Sequence, residues 1–162
     1  QADELEMVRQ WRNDPAIASL MLDQTYITSE MQQAWFARLQ HNPGACYLVA
    51  HFREQPIGVA SLTAIDREQG SCEPGMYIYP EEFRHNLVPF CVAFALNDLA
   101  FETFGLSRLD GKIFADNQPS LRFHEACGYR RTGGEQEGLI RFALTPDDYY
   151  PARDKLSRFI RY

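Results

Sequence analysis

Positive charge is in short supply in this sequence. Its 162 residues hold 16 Lys and Arg against 22 Asp and Glu, a net charge of −6. A broad nucleic-acid surface needs a basic footprint, so nucleic acid is not expected as a partner. Small anions stay open, because a nest of backbone N–H groups holds phosphate without net positive charge. Cysteine chemistry is missing too. Cys46, Cys72, Cys91 and Cys127 form no C-x-x-C pair, and no histidine cluster accompanies them. They read as reduced core thiols, and no metal is expected. No apolar run is long enough to cross a membrane, and no signal peptide is visible. The expected setting is therefore the cytoplasm, without a membrane partner. Internal repeats, low-complexity segments and linkers do not occur.

What is present suits one folded unit. With 45% hydrophobic and 23% charged residues, the composition is that of an ordinary globular protein with room for a core. The expectation is a single domain over 1–162: a helical segment at 1–44, sheet and core at 45–144, and a C-terminal tail at 145–162. Asp3 reads as the N-cap of a helix ending at Arg12, with Glu6 as box partner and Leu5, Val8 and Trp11 as its apolar stripe. Asn13-Asp14-Pro15 breaks it, and Pro15 starts a short helix to Leu22. Thr28 or Ser29 caps a third helix through Gln40, which His41-Asn42-Pro43-Gly44 stops. The period then changes, giving strands at 46–52, 57–65 and 71–79. The turns between them are too short for a crossover, so they form an antiparallel meander. Pro74-Gly75 interrupts the third strand and predicts a bulge or splay there.

The rest is organised around residues 76–105: a strand, a polar loop and one apolar helix from Val88-Pro89. Pro89 suits a first helical turn, where a missing N–H costs nothing. Every residue from 90 to 96 is apolar, which predicts a helix buried all round, and Gly105 reads as its C-terminal cap. Such a helix start favours anions through its unpaired N–H groups and its dipole; on pattern alone, a plain strand–loop–helix is the alternative. A fourth strand at 109–115 returns through the helix and should lie parallel to the third. Asp116-Asn117-Gln118-Pro119 opens a helix to Cys127 that ends at Gly128. Strands at 129–132 and 139–144 follow, and the tail reads as helical from Asp147.

The order α-α-β-β-β-α-β-α-β-β resembles the GNAT superfamily of acyl-CoA-dependent N-acyltransferases. The likeness is greatest to the branch of ribosomal-protein N-terminal and nucleotide-amino-sugar acetyltransferases. Trp11-Arg12-Asn13, with Met21 further on, is similar to that branch's W-R-N opening. Asn117-Gln118-Pro119-Ser120-Leu121-Arg122-Phe123-His124-Glu125-Ala126-Cys127-Gly128-Tyr129 resembles its N-x-x-S-[IL]-R-[FL]-[YH]-E-x-x-G-[FY] motif. Glu73-Pro74-Gly75-Met76-Tyr77-Ile78 looks like the strand leading into the cofactor loop. The fold implied is α+β: a mixed, mostly antiparallel sheet with a splayed parallel strand pair and flanking helices, its usual first strand missing or trimmed. One departure bears on chemistry. The family's pyrophosphate loop reads [QR]-x-x-G-x-[GA], and here Arg84-His85-Asn86-Leu87-Val88-Pro89 keeps the arginine and loses both small positions. Each hydrogen bond lost to charged oxygens costs about 1.5–3 kcal/mol, roughly ten- to a hundredfold in affinity.

The resemblance implies acetyl transfer from acetyl-CoA to a primary amine of a small molecule, such as a nucleotide-linked amino sugar, by a monomer or homodimer. The alternatives are a protein N-terminal acetyltransferase and a non-catalytic binding module of the same fold. Cofactor contacts are implied at Tyr77, Ile78, Arg84, His85, Asn86, Leu87, Val88, Asn117 and Ser120. Glu73 is the candidate base, acting through a water, against a plain solvent-facing strand end. His124 takes the position of the family's acid for the leaving thiolate, against a surface or core histidine. Trp11, Arg12, Asn13 and Met21 are implied to line the acceptor pocket, with core packing the alternative for Trp11 and helix termination for Asn13. Amino-sugar enzymes of this branch often have a His before the Trp-Phe pair; Gln32 precedes Trp35-Phe36 here, which leaves the acceptor type open.

Overall fold

A computed structural model describes residues 1–160. Arg161 and Tyr162, at the end of the expected tail, lie outside the described residues. The helical opening is α1 (Leu5–Asn13), α2 (Pro15–Ala18) and α3 (Ser29–Leu39). Asp3 lies inside a 3-10 turn (Ala2–Glu4) and does not cap α1, which has no side-chain cap. Asp14 caps α2 by accepting from the Ala16 N–H at 2.9 Å, and Thr28 caps α3 by accepting from the Met31 N–H at 3.2 Å. α2 stops at Ala18, short of the expected Leu22. Leu20 and Leu22 are exposed, so no apolar face draws another turn onto the sheet.

The expected meander forms from β1 (Cys46–Phe52), β2 (Gln55–Asp66) and β3 (Ser71–Ile78). β4 (Arg108–Phe114), β5 (Arg130–Arg131) and β6 (Leu139–Leu144) complete a sheet ordered β1-β2-β3-β4-β6-β5. β4 runs parallel to β3, as the crossover requires, and every other pair is antiparallel. Pro74-Gly75 marks the splay and not a bulge. β3 keeps register with β2 from Glu73 to Ile78, while its pairing with β4 ends at Cys72↔Leu109. Pro74, just past that rung, has no N–H with which to continue a ladder. The register shift falls in β2 instead, between Thr63 and Asp66, where Ala64 adopts φ +47°.

α4 (Val88–Asp98) crosses from β3 to β4. It is not buried all round: Phe94 and Leu96 are inside, Phe90 and Val92 are half-buried, and Ala95 is exposed. It ends in a π turn (Leu99–Thr103), with Gly105 just beyond at the expected stop. α5 (Gln118–Ala126) precedes β5, and α6 (Pro146–Ser157) closes the described chain. The cysteines form no disulfide among the described residues; Cys72 and Cys127 are buried, Cys46 and Cys91 half-buried. Among the described residues no helix is long and apolar enough to cross a membrane.

The tail is part of the core. Tyr149 on α6 is fully buried, with its ring edge-on to Phe94 at 5.9 Å. Its hydroxyl lies 2.6 Å from the Asp98 carboxylate and 3.0 Å from the Phe94 carbonyl oxygen. Arg153 holds the same carboxylate at 2.9 Å. Where α5 ends, Gly128 sits at φ +102°, and a Cβ there would stand 2.5 Å from the Asp148 carbonyl oxygen. Only glycine permits that approach of α5 to α6. Tyr149→Phe removes a hydrogen bond to a charged group without changing shape, and should lower stability by about 2 kcal/mol. Urea denaturation with an unchanged slope reads this directly; a loss below about 0.5 kcal/mol would mean that the hydroxyl adds little to the anchoring of α6.

Candidate active site

The splay gives β3 an edge that β2 covers on one side only. From residue 73 to 78 the strand pairs with β2 and not with β4. Its free edge presents backbone polar groups of the kind that pair with an extended ligand arm. Glu73 is exposed at the start of this edge, and its carbonyl accepts from the Thr63 hydroxyl at 3.2 Å. Ile78 is buried and Tyr77 half-buried. Arg84 turns back on the end of the strand. Its Nε donates to the Ile78 carbonyl at 2.8 Å, and its Nη2 donates to the Tyr79 carbonyl.

The loop into α4 is less open to an anion than its position suggests. The Asn86 Oδ1 accepts from the Val88 N–H at 2.9 Å, and its Nδ2 donates to the Glu82 carbonyl at 3.1 Å. Asn86, one residue ahead of the N-cap Leu87, therefore occupies the first N–H of the helix, next to Pro89, which has none. His85 and Leu87 are exposed on the loop, and Val88 is half-buried. The residues present fit an arm along β3 well and a pyrophosphate less well.

α5 carries the expected histidine. Asn117 caps it by accepting from the Ser120 N–H at 3.2 Å. The His124 Nδ1 lies 2.7 Å from the Ser120 carbonyl oxygen. A carbonyl only accepts, so Nδ1 carries the hydrogen, and Nε2 is bare in the neutral ring. The ring packs against Tyr129 at 5.0 Å and Phe142 at 6.3 Å. Burial pushes its pKa below the usual histidine value, against an opposing pull from the Ser120 hydrogen bond.

On the other side of β3, the helical opening and the meander enclose a cavity of about 590 Å³. Arg12 and Met21, two of the four residues implied for an acceptor pocket, line it together with Gln32, Trp35, Arg38 and Tyr77. Trp11 does not. It is 8% exposed and stacks on Tyr79 with ring centroids 5.2 Å apart and planes at 16°. Asn13 also stays outside the lining and clamps the loop above it: Nδ2 donates to the Ile27 carbonyl at 2.7 Å, and Oδ1 accepts from the Ile27 N–H at 2.8 Å. Glu73 and His124 are not among the lining residues. Sequence reasoning missed Arg38, although it sits three residues after Trp35 and shares its helix face. Gln32 is buried and donates to the Leu5 carbonyl at 3.3 Å, tying α3 to α1.

A family model described as an acetyltransferase (GNAT) domain matches residues 1–130. The chain is 27% identical over 127 residues to the acetyltransferase PseH of Campylobacter jejuni, covering 76% of this chain and 75% of that protein. Among solved structures, the spermidine N-acetyltransferase of Vibrio cholerae, in complex with CoA and spermine, superposes with a TM-score of 0.82 at 18% identity, covering 92% of this chain and 94% of that one. Campylobacter jejuni PseH in complex with acetyl coenzyme A superposes at 0.70 with 20% identity, covering 90% and 92%. At these identities the structural likeness is one of fold.

Proposed function

Because the chain belongs to the acetyltransferase (GNAT) domain family, we propose that it moves an acetyl group from acetyl-CoA to the primary amine of a small molecule, of the nucleotide-linked amino-sugar kind. One observation carries the reading: Tyr77 belongs both to the unladdered edge of β3 and to the wall of the cavity. Donor and acceptor sites therefore meet across a single strand.

Acetyl-CoA supplies an acyl group already activated as a thioester. The free edge of β3 at Tyr77 and Ile78 would hold the arm, with Asn117 and Ser120 at the start of α5 contributing. His85 and the N–H groups at 85–87 would hold the pyrophosphate end, with Arg84, Leu87 and Val88 shaping that turn. The amine must lose a proton to become a nucleophile, and the departing thiolate must gain one. Glu73, exposed at the mouth of the edge, accepts the first through a water. His124 is neutral, with a bare Nε2, so it would take the second proton, which the amine nitrogen sheds as the C–N bond forms, and pass it to the thiolate as the C–S bond breaks. Trp11 and Asn13 position the acceptor wall through Tyr79 and Ile27, while Arg12 and Met21 touch the acceptor.

The occupied Val88 N–H and Pro89 favour a second reading, a binding module that no longer uses acetyl-CoA. Calorimetry separates the two. The chain should bind acetyl-CoA at micromolar concentration, and Leu87→Gly with Pro89→Gly should tighten binding roughly tenfold by restoring one donor and a closer backbone approach. Absence of binding at millimolar acetyl-CoA, in the chain and in the double variant alike, would leave only the binding module.

A further inference from the structure

Tyr79, the first residue past β3, is bonded to both sides of the proposed site. Its N–H donates to the Ile57 carbonyl on β2 at 2.8 Å, which keeps its backbone on the sheet. Its own carbonyl accepts from the Arg84 Nη2. The Arg84 Nε donates to the Ile78 carbonyl at 2.8 Å. Backbone groups alternate sides along a strand, so the Ile78 carbonyl points away from β2, to the side where the ladder with β4 has ended. Arg84 is therefore fastened to the donor edge itself, and His85 after it opens the loop read as the pyrophosphate site. The turn between is tight: the Phe83 and Arg84 N–H groups donate to the Pro80 and Glu81 carbonyls at 3.1 and 3.0 Å.

The side chain of Tyr79 belongs to the acceptor side. Its ring stacks on Trp11 of α1, with centroids 5.2 Å apart and planes at 16°. Its hydroxyl donates to the Asp14 Oδ2 at 3.1 Å. Asp14 is the joint between two helices. Its N–H donates to the Gln10 carbonyl of α1 at 3.1 Å, and its Oδ1 caps α2. Arg12, next to Trp11, and Met21, beyond α2, line the cavity. A stacked ring fixes distance and tilt together, and packed contacts shift as a unit and do not stretch. Displacement of Tyr79 is thus passed to α1 and to the start of α2.

We infer that Tyr79 is a positioning residue that couples the donor loop to the acceptor wall, so that filling the loop at 85–87 shifts Trp11 and Asp14. This rests on the reading of that loop as the pyrophosphate site. Such coupling is reciprocal, and an occupied cavity should tighten the donor by the same factor.

The test reads Trp11 directly. The chain has two tryptophans, so Trp35→Phe leaves Trp11 as the only indole. Acetyl-CoA is titrated into this chain by calorimetry and by tryptophan emission, with thermal melts to check each variant. The emission should change along the calorimetric isotherm and level off with it. Tyr79→Leu in the same chain removes the ring and hydroxyl but keeps the carbonyl that Arg84 uses. Acetyl-CoA should still bind, within about tenfold, and the emission change should disappear. Arg84→Met cuts the link at its other end and keeps the stack. At acetyl-CoA saturation it too should leave Trp11 unresponsive, and it decides the matter if Tyr79→Leu does not fold. A residue that only packs would lower the melting temperature and leave the response intact. A response that survives in Tyr79→Leu, or in Arg84→Met at saturation, overturns the inference, because the cofactor then acts on the indole by another route. Calorimetric binding without any emission change in the Trp35→Phe chain overturns it equally. In these cases the acetyltransferase reading stands. If acetyl-CoA does not bind the unaltered chain at millimolar concentration, that reading falls and the inference falls with it.

Discussion

His124→Phe is expected to lower kcat by about two to four orders of magnitude, the usual contribution of a positioned acid or base. Acetyl-CoA affinity and the melting temperature should barely move. Phenylalanine keeps the ring contacts with Tyr129 and Phe142, and the lost Ser120 contact is to a carbonyl in the same helix. The pH profile gives a second readout. In the fold, burial holds the His124 pKa below its ordinary value of 6.5. The neutral form that accepts a proton therefore predominates at neutral pH, and the acidic limb of kcat/KM should lie below the ordinary histidine range. The linked stability has the same sign. The unfolded chain takes up a proton near pH 6.5 that the folded chain refuses, so stability rises with pH there. It is fully present above the unfolded value and is lost as pH falls through the folded one. In His124→Phe both the limb and this stability loss should vanish. A kcat within about tenfold of the unaltered chain would remove His124 from the proton path, and Glu73→Gln, assayed beside it, would show whether the carboxylate carries the step alone.

Gly58→Ala should be the most damaging single methyl group in the sheet. Gly58 is buried on β2 opposite Ile78, and a Cβ there would stand 2.2 Å from the Tyr77 carbonyl oxygen and 3.2 Å from the Ile78 Cα. Both are backbone atoms, so no side chain can swing aside. β2 and β3 must part instead, at the residues that form the arm's edge and the cavity wall. We expect a stability loss of about 3 kcal/mol or more, read by urea denaturation. Whatever remains folded should show weaker acetyl-CoA binding, because Tyr77 and Ile78 have moved. Gly134→Ala is the control, since nothing lies within 4 Å of its added carbon. A loss below about 1 kcal/mol would show that the two strands yield more easily than backbone packing suggests.

Much of the fold was legible because its signals are local. Alternating apolar residues and short turns specify the meander, and a long helix between β3 and β4 requires them to be parallel. The splay was readable at Pro74 for the same reason. The register shift at Ala64 was not, because nothing in an alanine side chain announces φ +47°. The cofactor loop shows the same division. Loss of its small residues could be seen directly, and an Asn side chain accepting from the N–H two residues on is a recognised local turn. The return of Arg84 to the Ile78 and Tyr79 carbonyls depends on where the loop lies in space. Trp11 sat on an apolar stripe, and its core role follows from that place; Asn13, with helix termination as its alternative, instead bonds the backbone of Ile27, a distant contact that no local signal shows. That Arg12 and Tyr77 share one cavity could not be read, because only the fold brings α1 and β3 together.

The clamp at Tyr149 makes the final helix a dynamic constraint as well as a packing one. α6 is joined to α4 through Asp98 and Phe94, and to the end of α5 by the close approach at Gly128. α4 begins at the cofactor loop, and α5 carries His124. Local opening of α6 would uncover Tyr149 and release both helices together, so the three belong to one cooperative unit of hydrogen exchange. The two halves of the proposed donor site should therefore share one opening free energy, set by residues beyond position 130, where the family match ends. Truncation at that boundary would keep the sequence signature and lose the rigidity on which the site depends.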